Sequence, residues 1–224
     1  KIRIDANFID NITPFIRGTA NNSFVIQEVL FDDKMEMTNF ANFLLASNLK
    51  HLDISRFCQD LPVNFAGFLG IFDEKFLTAF AAGCTNESPS FALRIFFMTS
   101  IPFHWTASRD FLPVLSRFDS FSTETMKLRP EHFVELVLMR LETTGRTPIN
   151  WLFALTEEVT EAHLNHLDST KDDRSINSYA DEELDDSDDW YAIQKIGTMK
   201  VCRFNRYVDR ETGEFMVELN FIEK

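Results

Sequence analysis

Glycine is scarce, at 7 of 224 residues, about half the usual share of roughly 7%. That argues against glycine-rich phosphate cradles and against barrels or propellers built from many tight turns. Cysteine is scarcer still. Cys58, Cys84 and Cys202 stand far apart with no C-x-x-C pair, so neither a zinc knuckle nor a disulfide framework is expected, and a reducing compartment, cytoplasmic or nuclear, fits best. The N-x-[ST] triplets at Asn11, Asn21 and Asn86 are the one counter-signal, pointing to a secreted chain. No apolar run reaches the roughly 18 residues of a membrane span. Motifs for nucleotide binding, serine hydrolysis and zinc proteolysis are missing as well. Gly67-Phe68-Leu69-Gly70 has the outline of a nucleic-acid clamp, but its two large apolar residues cannot serve phosphates, and it reads as an apolar turn.

What is abundant is phenylalanine, 24 residues against 3 Trp and 3 Tyr, in a chain that is 45% hydrophobic. Rings without polar handles point to thick, dry packing between layers. The net charge is −13, which disfavours nucleic acid and anionic membrane surfaces as partners. Between Asp172 and Asp189 nine acidic residues face a single Arg174, so most of the excess sits in one stretch, expected to be a solvated linker or loop. The chain opens on Lys1 in an alternating segment rather than on Met, as a fragment or processed chain would.

Local patterns predict an α/β fold. Phe24 to Phe31 is apolar and β-branched enough for a buried strand, Thr38 is a helix cap before Phe40, Phe43 and Leu44, and Leu49 to Ile54 returns as a strand. A second, looser unit follows. Asp73-Glu74 starts a helix bearing Phe76, Leu77 and Phe80, Gly83 caps it, and Phe91 to Met98 is strand-like. Ser108 caps a third helix, Pro130 begins a fourth whose second half reads better as a strand, and Thr156 to Leu167 is helical. At the end, Phe215, Val217, Leu219 and Phe221 alternate cleanly after a turn at 209–214, a hairpin with Glu218 and Asn220 on its wet side. Strand spacings of about 24 and then about 42 residues exclude a regular solenoid. Even so, Leu49-x-x-Leu52-x-Ile54 has the spacing of a leucine-rich-repeat strand, whose intervening residues line a concave surface.

The expected organisation is thus irregular leucine-rich-repeat-like strand–helix units with a largely parallel sheet over residues 1–171, an acidic linker or loop at 172–189, and an antiparallel β-hairpin at 190–224 packed on the same domain. The segments Ser47-Asn48-Leu49-Lys50-His51-Leu52-Asp53-Ile54-Ser55, Phe72-Asp73-Glu74-Lys75-Phe76-Leu77 and Gly213-Glu214-Phe215-Met216-Val217-Glu218-Leu219 resemble the C-terminal, F-box-associated regions of the nematode-type F-box family. The resemblance covers residues 24–100 and 199–222. It implies a non-catalytic role, recruiting a protein substrate to a cullin-type ubiquitin ligase. A Skp-type adaptor would be engaged only through an F-box lying before Lys1. No cofactor or metal is implied.

Candidate site residues are few. Phe103, His104 and Trp105 follow the second strand-like segment, and Trp190 and Tyr191 follow the acidic stretch; large aromatics there suit either a partner-binding patch or the cap of a core. His163 and His166, with Asp168, Asp172 and Asp173, form the one metal-like grouping. They keep a metal-dependent enzyme open as an alternative, beside a leucine-rich-repeat-like scaffold with no ligase link. The bland reading of the two histidines is a polar helix end.

Overall fold

The computed structural model describes residues 2–17, 23–27, 29–31, 37–56, 65–84, 88–93, 104–142, 150–160, 162–163, 174–180, 189–195, 200–210 and 212–223. Parallel strands β2 (Ser23–Gln27), β4 (His51–Arg56), β5 (Ser90–Leu93), β7 (Ser120–Leu128) and β8 (Asn150–Leu155) lie side by side in chain order. Between them run helices α2 (Met37–Ala46), α3 (Phe65–Gly70), α4 (Glu74–Gly83), α5 (Leu112–Leu115) and α6 (Pro130–Glu142). Strands added in one direction through right-handed crossovers put every connecting helix on the same face. Ring contacts bear this out: Phe43 of α2 meets Phe24, Phe72 before α4 meets Phe91, Phe118 after α5 meets Phe121, and Phe133 of α6 meets Phe204, with centroids 5.1 to 6.1 Å apart.

The sheet then reverses direction. Strands β9 (Arg174–Ala180), β10 (Asp189–Lys195), β11 (Lys200–Val208) and β12 (Phe215–Glu223) form an antiparallel extension joined to β8 through β12. Short β6 (Trp105–Thr106) pairs with the far end of β7. At the N-terminus β1 (Ile2–Ile4) pairs with β3 (Val29–Phe31) in a separate two-stranded sheet, with α1 (Ala6–Arg17) beside it. One register row crosses nearly the whole main sheet: Phe24, Leu52, Phe91, Phe121, Trp151, Leu219, Phe204 and Tyr191 are successive partners. These are the residues the helices cover, and this row is the spine of the core.

Local rules account for the ends. Asp73 caps α4 by accepting from the Phe76 amide at 2.9 Å. Asn48 at φ +48° takes the left-handed conformation that terminates α2. Gly213 at φ +71° does the same for the β11–β12 turn, where its amide donates to the Asp209 carbonyl.

The α/β class, the largely parallel sheet and the closing antiparallel hairpin are as the sequence pattern predicts. Several details differ. The acidic stretch 172–189 is not simply a linker: residues 174–180 form edge strand β9, where Ile176 pairs with Ile193, and polar residues are common on edges; 181–188 lie outside the described residues. The closing hairpin is accordingly one half of a four-stranded unit. The second half of α6 is helix rather than strand, because Phe133, Val134, Leu136, Val137, Arg140 and Leu141 fall on a single buried stripe. Residues 67–70 belong to helix α3, with Phe68 and Leu69 buried. Phe24 to Phe31 divides between two sheets, Gly83 is the last residue of α4 with Cys84 as its cap, and residues 156–160 are not helical.

Candidate functional site

Moving one residue along each strand exchanges the covered face for the opposite one. There the register row reads Val25, Asp53, Ala92, Ser122, Leu152, Glu218, Asn205 and position 190. A parallel row runs Ser23, His51, Ser90, Ser120 and Asn150. Among the described residues no helix packs on this face. Its middle, over β5 and β7, is a floor of small side chains: Ser90, Ala92, Ser120 and Ser122. Longer polar groups border the floor, His51 and Asp53 on one side and Asn150, Glu218 and Asn205 on the other.

Hydrogen bonding on this face is incomplete. Asp53 Oδ1, Asn150 Oδ1 and Asn205 Oδ1 are buried and accept no hydrogen bond, although buried acceptors are nearly always satisfied. Asn150 Nδ2 donates to Glu218 Oε1 at 3.4 Å. Since a carboxylate can only accept, this contact fixes which end of the amide is oxygen. Asn205, directly opposite Glu218, is only 4% exposed. Sequence reasoning left Asn150 and Asn205 in no motif. The wet side assigned to the hairpin at Glu218 and Asn220 was the signal that led toward them.

The aromatic candidates do not gather into one patch. Trp105 is half-buried with its ring 5.9 Å from Phe111, edge to face, and it packs against the core. Tyr191 stacks on Phe204 at 5.1 Å on the helix-covered side, and its hydroxyl accepts from Arg206 Nη2 at 3.0 Å. Position 190 falls on the other face by register, and Phe103 lies outside the described residues. His104 joins a different cluster. Between Thr123 and Lys127, β7 bulges away from β8 and takes β6 as a partner. That bend brings Lys127 Nζ to 2.9 Å and His104 Nε2 to 3.2 Å from Glu214 Oε1.

A cleft of about 260 Å³ near the end of β8 is lined by Leu155, Glu158, Val159 and Arg206, among others. Arg206 is already committed there: it donates to the Val159 carbonyl and to Tyr191, lies over the Tyr191 ring, and has Glu158 Oε1 3.8 Å away. Deeper in the core, Arg140 donates to the Ser116 carbonyl at 2.6 Å. Burial pushes its guanidinium down from the ordinary value, and nearby Asp119 opposes the shift. Burial likewise pushes the Cys202 thiol up.

His163 Nδ1 accepts the Thr160 amide at 3.1 Å, closing a local turn. His166, Asp168, Asp172 and Asp173 lie outside the described residues. Among the described residues no three His, Cys, Asp or Glu side chains are grouped to hold a metal ion, and no helix is long and apolar enough to cross a membrane. Comparison of the chain with protein-family models, with curated proteins and with solved structures gave no match.

Proposed function

We propose that the chain is a non-catalytic protein-binding module that offers the helix-free face of its sheet to a polypeptide partner. One observation carries the reading. A continuous face crossing five parallel strands and the antiparallel extension has no helix over it among the described residues, and it alternates small floors with hydrogen-bonding borders. Such a surface suits recognition of a polypeptide by shape and hydrogen bonds. The narrower role, substrate recruitment to a cullin-type ubiquitin ligase, is proposed from the F-box-associated resemblance alone.

The two parts are tested separately. For docking, Ala92→Arg and Ser120→Arg, both at half-buried positions, fill the floor, and recovery of partners by affinity capture of the chain from cells falls about ten-fold or more at unchanged melting temperature. Recovery equal to the unsubstituted chain counts against this face. For the ligase role, the product of the full reading frame co-purifies with a Skp-type adaptor and cullin. Partner capture without adaptor leaves the scaffold reading in its place.

A further inference from the structure

We propose that the cleft at the end of β8 binds a small zwitterion with an apolar side chain, an aliphatic α-amino acid, whose carboxylate meets Arg206 and whose ammonium meets Glu158. This goes beyond the docking role and does not rest on it. Arg206 follows Phe204 by two residues on β11 and so stands on the helix-covered side, away from the open face.

The cleft holds about 260 Å³, just below the ~300 to 1,000 Å³ that takes a drug-sized ligand. That volume suits a molecule of amino-acid size. In open α/β sheets ligands bind outside the carboxyl ends of the strands, and this cleft lies there, where parallel β8 meets antiparallel β12. Buried Leu155, Val159 and Met216 back it, and Val208, 53% exposed, also lines it. An aliphatic side chain entering the cleft covers Val208 against an apolar wall. Both charged groups are open to a ligand, Arg206 at 23% and Glu158 at 62% side-chain exposure.

The two charges are loosely paired. Arg206 Nη1 and Glu158 Oε1 stand 3.8 Å apart, an ion pair beyond hydrogen-bond length. Arg206 is held in place by donating to the Val159 carbonyl and the Tyr191 hydroxyl, with its guanidinium 5.2 Å from the centre of the Tyr191 ring. A guanidinium carries five N–H donors, so a fork fixed by two of them keeps others for a carboxylate. Glu158 lies three residues beyond β8, outside any helix or strand. A monoanion at Arg206 is repelled by Glu158, and a monocation at Glu158 is repelled by Arg206. A zwitterion meets an opposite charge at each end.

The probes are L-leucine, leucinamide, which lacks the carboxylate, and N-acetyl-leucine, which lacks the ammonium. Each is titrated into the whole chain while the methyl signals of Val159 and Val208 are followed by NMR. Leucine is expected to move both valines and to saturate, with each single-charge analogue weaker by about ten-fold or more. Glu158→Gln, at an exposed position, is expected to weaken leucine and to strengthen N-acetyl-leucine by relieving repulsion. Misfolding cannot imitate that opposite response. No leucine response at either valine, an analogue that binds as well as leucine, or a Glu158→Gln chain that weakens leucine and N-acetyl-leucine alike overturns the proposal.

Discussion

Lys127 and Glu214 meet at 2.9 Å across the end of the sheet, one at the far end of a bulged parallel strand, the other at the mouth of the closing hairpin. The pair ties the parallel half to the antiparallel half, and His104 adds a second contact to the same carboxylate oxygen. Both side chains are mostly covered, Lys127 at 25% and Glu214 at 14% exposed. Glu214→Ala therefore removes more than a surface pair and less than a fully buried one, about 2 kcal/mol. In a chain of this size that lowers Tm by about 4 to 8 °C. Glu214→Gln, which still accepts, costs about half as much. Equal melting temperatures for all three chains would show that the two halves hold together without this contact.

Arg140 anchors the helix layer from inside. Its guanidinium donates to the Ser116 carbonyl and lies 5.8 Å from the Trp151 ring centre, while the indole donates to the Phe118 carbonyl at 3.2 Å. Arg140→Ala is expected to cost about 3 kcal/mol in urea unfolding, through lost packing together with an orphaned carbonyl. Arg140→Lys, which keeps the charge without the planar fork, costs about 1 to 2 kcal/mol.

Stability should fall in alkali because of Cys202. Burial raises its thiol above the ordinary value, so the folded chain keeps a proton that the unfolded chain releases. Above about pH 8.5 the unfolded state thus binds fewer protons, and each further pH unit removes up to about 1.4 kcal/mol. Urea melts from about pH 8 to pH 10 should show a steeper decline for the unsubstituted chain than for Cys202→Ala. Parallel declines would place the alkaline loss elsewhere.

Backbone conformation gives a sharper test at two positions. Asn48 has φ +48° and Gly213 has φ +71°. Asn48→Gly should be neutral or mildly stabilising, whereas Asn48→Val costs about 1 to 2 kcal/mol, since a β-branched residue strains in the left-handed region. Gly213→Ala costs about 1 kcal/mol for the same reason; nothing lies within 4 Å of an added Cβ, so steric crowding plays no part.

Much of the architecture was legible locally. Leu52 and Ile54 alternate with His51 and Asp53, and that alternation names both faces of β4 without any knowledge of its neighbours. Asp73 announced its helix by a short-range rule. Where readings failed, longer-range context overrode local composition. Val134 to Leu141 is apolar enough for a strand, and its fit as a stripe against α5 and β11 makes it helix. Residues 174–180 are polar and flanked by acidic runs, yet they complete an edge because β10 offers unpaired backbone.

The site shows the same division more sharply. The sequence alone determined the composition of each strand: which residues are apolar and turn inward, and which are polar and turn out, since a period of two depends on nothing but neighbouring residues. Only the tertiary structure decided that Asn150, Glu218 and Asn205 stand side by side. Register is set by hydrogen bonds between segments far apart in the chain, and a slip of a single residue would have scattered those three across opposite faces.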